Sequence, residues 1–168
     1  VFFTAGDPAR FYKFAGLARD QVGRELKLVD ESAFRFLWIT DFPLFEYDTH
    51  ARRFVSVNHP FTAPLESDAA LLETDQGRAR ARAYDLVLNG SEIAGGSIRI
   101  HDPQVQRQVF RLLNISDEDA RLRFGFFLDA REYGTPPYGA IAPGLDRMVS
   151  LLPGESSLRD AMPFPQTA

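Results

Sequence analysis

The sequence predicts an α+β fold with a mostly antiparallel sheet. The predicted strands follow one another in adjacent pairs and do not alternate with helices, a pattern typical of this class. The dipeptide Asn89-Gly90 separates two β-rich segments, which is the strongest short-range signal for an antiparallel hairpin. Aromatic residues form 12% of the 168 residues, enough to exclude a disordered chain and to indicate a sizeable core. That length accommodates one domain, or one domain with a small appendage.

Composition and charge exclude several classes of protein and site. The formal net charge of −4 argues against a wide nucleic-acid-binding face on this chain. No apolar run approaches the ~18 residues of a membrane span. The chain has no cysteine for a disulfide framework or a thiolate metal site, and its three histidines offer no zinc cluster. We therefore expect a cytoplasmic protein without a membrane segment. The start at Val1, without an initiator Met, indicates a piece of a longer chain.

The first 29 residues are predicted to form a strand and a helix. Residues 1–3 are strand-like, and Asp7-Pro8 is a typical helix start, an N-cap followed by Pro at the first helical position. A junction is predicted near residues 30–32. The apolar residues of the helix recur at spacings of three and four on one face, and they are Phe11, Phe14, Ala18, Val22 and Leu26.

Strands dominate the middle of the chain. A dense apolar run over residues 34–40 is typical of a buried strand, and a hairpin is predicted over residues 45–57 through the Asp48-Thr49 turn. Residues 58–76 contain two Pro and many polar side chains, so we expect a loop there. Residues 84–100 are again rich in strand formers.

Helices are predicted in the last third. Asp102-Pro103 starts one helix, and a second runs from Ser116 to about Tyr133, where Gly134 supplies the stop. Residues 139–152 are predicted to form a strand, a glycine turn and a helix. The inner face of the first of these helices is predicted to consist of Val105, Val109, Leu112 and Leu113.

Two carboxylates are predicted to share one face of the Asn89-Gly90 hairpin. With these two residues as the loop, Leu88 faces Ser91, Val87 faces Glu92 and Asp85 faces Ala94. Asp85 and Glu92 then lie within reach of one another, and because like charges repel, they need a cation or an Arg between them. A Mg²⁺ ion bridging to a nucleotide phosphate would serve. The alternative is a solvated hairpin face without a ligand.

Arg99 stands in an otherwise apolar strand segment. Strict alternation places it on the face opposite Glu92, and a bulge at Gly95-Gly96 would bring it, with Ser97, onto the Glu92 face. A partly buried Arg needs a carboxylate partner, because a lone buried charge is costly. A substrate carboxylate held bidentately is one candidate, and a neighbouring Asp or Glu is the other.

The segment from Gly139 to Arg147 runs from an apolar strand through Gly144 into a helix. Amide groups at that helix start can bind an anion, and Arg147 adds a fixed cation, an arrangement that suits a triphosphate or an adenine plane. His59 lies in a loop behind a strand. A lone loop histidine is usually exposed or satisfied by local hydrogen bonds.

Taken together, four segments closely resemble bacterial-type aspartyl-tRNA synthetases: residues 34–43, 58–62, 83–101 and 144–147. Residues 157–165 are similar to the segment that follows motif 3 in that family. The resemblance covers nearly the whole chain, in order. It implies that residues 1–29 are the tail of a GAD-type insertion domain and residues 30–168 the C-terminal part of the class II catalytic domain. The implied fold is an antiparallel β-sheet flanked by helices.

The resemblance implies an enzyme that condenses L-aspartate with ATP to aspartyl-adenylate and passes the aspartyl group to tRNA. It implies that Glu92 binds ATP directly and through Mg²⁺, that Asp85 is the second metal-side carboxylate, and that Arg99 clamps the substrate side-chain carboxylate. No residue is implied to act as a general acid or base. The remaining implied contacts are Gly144, Leu145, Asp146 and Arg147 to ATP, and Asn58 and His59 near the aspartate.

One position departs from the family pattern, and several family segments have no counterpart. Family members usually show His-His-Pro-Phe-Thr, whereas this chain has Asn58 at the first position. A neutral amide cannot carry an imidazolium charge, so relaxed specificity between the aspartate and asparagine tRNAs is a hypothesis. Motif 1, motif 2 and the anticodon-binding barrel are not found. Motif 1 is the dimer-forming element of the family, so the resemblance implies a homodimer for the intact parent. Because motif 2 contributes to ATP binding in the family, we expect these 168 residues alone to be inactive.

Two alternatives stay open at this point. One is a sibling class II enzyme, such as an asparaginyl- or lysyl-tRNA synthetase or an ammonia-dependent asparagine synthetase. The other is a non-catalytic binding paralogue that keeps the fold. The presence of Asp85, Glu92, Arg99 and Arg147 together argues against a paralogue without activity.

Overall fold

The computed structural model describes residues 3, 5–30, 32–151, 159 and 162. It divides the chain into two compact units, residues 1–35 and residues 36–168. Among the described residues, none of the helices has the length and apolar character needed to cross a membrane. The strand predicted at residues 1–3 and the segment 157–165 lie largely outside the described residues.

The first unit is built on helix α1, Pro8–Glu25, which begins where Asp7-Pro8 predicts. It ends in a Schellman-type turn. Lys27 has a positive φ of 51°, Leu28 N–H donates to the Gly23 carbonyl at 2.9 Å, and Lys27 N–H donates to the Arg24 carbonyl at 3.0 Å. The predicted apolar face includes Phe14, which is exposed in this structure.

The second unit contains a four-stranded antiparallel sheet, which confirms the predicted α+β class. Strands β1 (Phe36–Ile39), β4 (Ala83–Leu88), β5 (Ser91–Ile98) and β6 (Gly139–Pro143) lie in the order β1-β4-β5-β6. A separate hairpin pairs β2 (Phe45–Asp48) with β3 (Arg53–Ser56) through the predicted turn.

The prediction of a buried strand over residues 34–40 is wrong in its extent and in its burial. Strand β1 covers four residues, and all of them are exposed, Trp38 to 56%. In the described sheet β1 is an edge strand that pairs with β4. An apolar run indicates that a strand can be buried, but it does not say which of its faces is covered within the same chain.

The predicted loop over residues 58–76 contains more regular structure than its composition suggests. It holds a 3₁₀ turn, Glu66–Asp68, and the short helix α2, Leu71–Thr74, and a second 3₁₀ turn follows at Gln76–Arg78. The buried Asp68 carboxylate holds this segment in place through its hydrogen bonds with Arg80. Asp68 is 5% exposed, and both its carboxylate oxygens accept hydrogen bonds from Arg80.

Helices α3 (Pro103–Leu112) and α4 (Asp117–Glu132) have the predicted caps. At the start of α3, Asp102 accepts a hydrogen bond from Gln104 N–H at 2.7 Å. At the start of α4, Ser116 accepts one from Asp119 N–H at 3.1 Å. Gly134, which follows α4, has a φ of 111°, as is typical of a helix C-terminus. Both helices pack on the Phe61 ring, which contacts Phe110, Phe124 and Phe127.

The β4–β5 hairpin has the predicted two-residue turn. Asn89 and Gly90 both have positive φ, 49° and 86°, as a type I′ turn requires. Leu88 pairs with Ser91 and Val87 with Glu92, as predicted.

The register then shifts, which corrects two further predictions. Asp85 pairs with Gly95 and not with Ala94, and the bulge lies at Ile93, before Gly95-Gly96. The bulge allows two consecutive side chains to be buried, Ile93 and Ala94, at 3% and 5% exposure. Strict alternation would have exposed one of them.

Candidate active site

The two predicted carboxylates share one face of the sheet, and the bulge at Ile93 brings Gly95 onto that face between them. Residues paired across antiparallel strands share a face, so Asp85 and Gly95 point the same way. A Cβ at Gly95 would lie 2.9 Å from Asp85 Oδ1 and 3.4 Å from Glu92 Oε1. The carboxylates of Asp85 and Glu92 therefore occupy the space that a side chain at Gly95 would take. Ala94, predicted to share this face, lies on the other one.

The electrostatics of this pair favour a cation. Burial, and next the nearby Glu92 carboxylate, raise the pKa of Asp85 above its ordinary value. No group of three or more His, Cys, Asp or Glu side chains that could hold a metal ion occurs among the described residues. Two carboxylates fit Mg²⁺ when water and phosphate oxygens complete its shell, because Mg²⁺ typically takes one or two protein carboxylates beside substrate phosphates.

Arg147 is the cation that contacts Glu92 in this structure. It lies in helix α5 (Leu145–Leu151), and its Nη1 is 3.4 Å from Glu92 Oε1 and 2.9 Å from the Glu92 carbonyl oxygen, to which it donates. The preceding Gly144 is fixed to the bulge, since its N–H donates to the Ile93 carbonyl at 2.8 Å. The neighbouring side chains of Leu145 and Asp146 are exposed. Gly144 and Arg147, in the segment that resembles motif 3 of the family, thus contact β5 at the bulge and at Glu92. The resemblance implies that Glu92 and Arg147 bind the same ligand.

Arg99 and His59 form the second group. Arg99 Nη1 lies 3.1 Å from His59 Nδ1, and the Phe61 N–H donates to the same nitrogen at 3.2 Å. Because Nδ1 accepts these bonds, His59 carries its proton on Nε2 and is neutral. Burial, and next the Arg99 charge, lower the pKa of His59.

The half-buried Arg99 guanidinium has no carboxylate partner within the described part of the chain. The alternative of an ion pair with a neighbouring Asp or Glu is therefore not what the structure shows. An Arg that donates to a neutral imidazole keeps its charge and most of its five N–H donors for a ligand. This arrangement suits an external carboxylate, which Arg can bind bidentately.

Both groups lie on the same face of the sheet. From Gly95, alternation through Ser97 leads to Arg99, four residues further, which corresponds to ~13 Å along a strand. Ser97 and Thr62 lie between the two groups, with their hydroxyl oxygens 3.4 Å apart and both side chains buried. The site has a carboxylate end and a guanidinium end, separated by a floor of glycine and small hydroxyl side chains.

Other predicted and unpredicted residues complete the site. Asn58 is exposed next to His59. Thr62 was not predicted as a site residue, although it lies within the 58–62 segment and its backbone pairs with Arg99. Gln106 and Arg131, which donate hydrogen bonds to the Pro60 and Ile100 carbonyls, were not predicted to lie near the site. Their position on two helices, distant in sequence, gives no local signal.

The fold is that of class II synthetases. An aspartyl-tRNA synthetase from Entamoeba histolytica matches 98% of this chain and 28% of its own length with a TM-score of 0.62, at 20% identity. The family model described as tRNA synthetases class II (D, K and N) matches residues 12–168, so the chain belongs to this family.

Two relatives with higher sequence identity to this chain are both named as aspartate–tRNA ligases. The chain is 51% identical over 167 residues to the aspartate–tRNA(Asp/Asn) ligase of Desulfatibacillum aliphaticivorans, across 99% of the chain. It is 53% identical over 168 residues to the aspartate–tRNA ligase of Oceanobacillus iheyensis, across 100% of the chain. The chain spans 28% of the length of each of these curated relatives. The assignment of residues 1–29 to an insertion domain stays a prediction.

Proposed function

We propose that the full-length protein is an aspartate–tRNA ligase, which activates L-aspartate with ATP and transfers the aspartyl group to tRNA. The observation that carries this proposal is the Arg99 guanidinium, half-buried and without a carboxylate partner among the described residues. The identity of 51% and 53% to proteins named as aspartate–tRNA ligases supports it.

The carboxylate end of the site is proposed to bind ATP. Asp85 and Glu92 would hold Mg²⁺, and Arg147 would turn from Glu92 towards the nucleotide. Breaking the Arg147–Glu92 ion pair costs little free energy, because the pair is half-exposed and exposed ion pairs contribute little to stability. Mg²⁺ bound there would neutralise phosphate charge as pyrophosphate leaves.

The guanidinium end is proposed to bind the amino acid. Arg99 would hold the side-chain carboxylate of aspartate, with His59 limiting the orientations of the guanidinium. The aspartate α-carboxylate oxygen then attacks the α-phosphorus of ATP, forming the acyl-phosphate bond while the bond to pyrophosphate breaks. A general base is not required, because the α-carboxylate is already ionised at neutral pH. Catalysis here consists of positioning and charge neutralisation.

Amino-acid-dependent ATP–pyrophosphate exchange on the full-length protein tests the proposal. We expect exchange with aspartate and none with asparagine or lysine, because neither offers a side-chain carboxylate to Arg99. Exchange driven by asparagine or lysine would indicate a sibling enzyme. A folded protein that exchanges with none of the standard amino acids would indicate a binding paralogue.

The tRNA specificity is proposed to be relaxed, so that the asparagine tRNA is also charged with aspartate. Asn58 stands where the family usually has His, next to the residue that contacts Arg99. One relative is named for both tRNAs and another for the aspartate tRNA alone. Charging of the aspartate and asparagine tRNAs by wild type and by Asn58→His would show whether the tRNA specificity is relaxed. We expect the substitution to favour the aspartate tRNA, and unchanged selectivity would refute the role of Asn58.

The full-length protein is further proposed to act in the cytoplasm as a homodimer. The proposed tRNA substrate supports the location, and the lack of cysteine in these 168 residues is compatible with a reducing compartment. The exposed apolar side chains of strand β1 support an association surface, because large exposed apolar patches mark interaction sites. Light scattering after size exclusion would show a dimer mass, and a monomer at micromolar concentration would contradict it.

A further inference from the structure

A chain of hydrogen bonds behind the guanidinium end joins two helices to the site backbone. Gln106 of α3 donates from Nε2 to the Pro60 carbonyl at 2.8 Å. Arg131 of α4 donates from Nη1 to Gln106 Oε1 at 3.1 Å, and from Nη2 to the Ile100 carbonyl. Three bonds therefore connect two backbone carbonyls through two side chains.

The two carbonyls belong to the residues that directly follow His59 and Arg99. Pro60 follows His59, and Ile100 follows Arg99. The network fixes the backbone on both sides of the 3.1 Å contact between His59 Nδ1 and Arg99 Nη1. The network acts through the backbone. None of its hydrogen bonds involves the side chain of a residue that is proposed to contact a ligand.

Burial makes the network rigid. Gln106 is 3% exposed, and its amide oxygen and nitrogen both have partners. The Arg131 guanidinium lies 5.4 Å from the centroid of the Phe127 ring, in cation–π range. Its planar fork donates to two different acceptors at once, which a Lys ammonium on a flexible stem does not reproduce in a fixed geometry.

We propose that Gln106 and Arg131 are positioning residues, which hold His59 and Arg99 at the separation needed to bind the substrate carboxylate. This inference rests on the proposed function of the guanidinium end. A small displacement of a positioning group costs binding and rate because the reacting groups must be aligned to within a fraction of an ångström. The carboxylate end lies ~13 Å away along β5 and is not held by this network.

The test compares Arg131→Lys and Gln106→Met with Arg123→Lys, an exposed Arg on the same helix. Steady-state exchange kinetics on the full-length protein would give KM for aspartate and for ATP separately. We expect KM for aspartate to rise about tenfold in the first two variants, with KM for ATP close to wild type. The melting temperature of both variants should fall, because each loses at least one hydrogen bond of the buried network, and both should remain folded. The Arg123→Lys variant is expected to match wild type in all three.

A second readout does not depend on activity. The ¹⁵N shifts of the His59 ring, assigned with a His59→Gln variant, report whether Nδ1 still accepts hydrogen bonds. We expect Arg131→Lys to move the Nδ1 signal and Arg123→Lys to leave it in place.

The outcomes separate the two proposals. An unmoved His59 signal together with an unchanged KM for aspartate in Arg131→Lys would overturn the positioning role, as would equal rises in both KM values. A moved signal in a protein whose wild type shows no aspartate-dependent exchange would support the positioning of His59 and refute the proposed substrate.

Discussion

At the residue scale, the insertion of Ile93 into strand β5 determines which side chains meet on the functional face. Without the bulge, Gly95 and Arg99 would lie on the face opposite Glu92. With it, Asp85 and Glu92 enclose Gly95, and Arg99 follows on the same face. One buried apolar residue thus brings the guanidinium end onto the same face of the sheet as the carboxylate end.

Substitutions at the two adjacent glycines are expected to have different effects. A methyl group at Gly96 would lie 2.1 Å from the Ala140 carbonyl oxygen, a backbone atom that cannot move freely. We expect Gly96→Ala to destabilise the fold by about 3 kcal/mol. At Gly95 the obstructing atoms are carboxylate oxygens on side chains, so we expect Gly95→Ala to cost less than about 1 kcal/mol.

The same pair also separates stability from ligand binding. Gly95→Ala is expected to displace Asp85 and Glu92 and to weaken Mg²⁺-ATP binding about tenfold. Urea melts and calorimetric ATP titrations of both variants would measure the two effects. Unchanged ATP affinity in a folded Gly95→Ala protein would remove the carboxylate pair from the nucleotide site.

Asp85→Asn is expected to raise stability in the absence of metal. The pKa of Asp85 is raised, so its ionised form is disfavoured in the folded state, and the stability of the wild type falls as pH rises through that pKa. The amide removes the repulsion from Glu92. We expect an increase of the melting temperature at pH 7 of no more than about 2–4 °C, the shift that ~1 kcal/mol gives. A decrease in thermal melts run with a chelator would contradict this account.

At the element scale, the Arg80–Asp68 contact fixes the segment that leads from the first hairpin to strand β4. The hydrogen bonds from Arg80 lower the pKa of Asp68 far below its usual range. The folded state therefore favours the ionised carboxylate, and the resulting stability is present above the unfolded pKa of about 4 and is lost as pH falls towards the folded pKa.

Asp68→Asn should therefore lower the free energy of unfolding at pH 7, and the difference from wild type should shrink below about pH 4. Urea unfolding across this range would measure both. A gap that stays constant with pH would mean that the Asp68 charge does not contribute.

The helix caps permit a smaller prediction. Ser116 accepts the Asp119 N–H at 3.1 Å, so Ser116→Ala is expected to cost about 1 kcal/mol. Thermal melts would detect it. A loss below about 0.3 kcal/mol would show that water replaces the cap at no cost.

Local chemistry explains which elements the sequence predicts. Asn89-Gly90, Asp102-Pro103 and Ser116 each satisfy backbone groups within a few residues, so the hairpin and both helix starts follow from the sequence. The bulge at Ile93 could not be placed, because it depends on packing against other elements. The same holds for the Gln106–Arg131 network, whose members meet only after α3 and α4 have packed.

At the scale of the whole molecule, the proposed nucleotide end and the proposed amino-acid end lie along strand β5. Glu92 is near the start of that strand, and Arg99 directly follows its last residue. This separation along β5 is what the proposed formation of an aspartyl-adenylate, with a phosphate between the two ends, would need. The motif resemblance names the residues of both ends, and their ligands stay a prediction, whereas the hydrogen bonds that His59 Nδ1 accepts could be found only in the structure.

The most direct test of this account is the aspartate dependence of ATP–pyrophosphate exchange in wild type and Arg99→Lys, measured on the full-length protein. Lys keeps the charge but loses the bidentate fork, so we expect kcat/KM for aspartate to fall about 10- to 100-fold. The KM for ATP should stay at the wild-type value. An Arg99→Lys protein that activates aspartate as well as wild type, or a wild type without aspartate-dependent exchange, would contradict the assignment of this site.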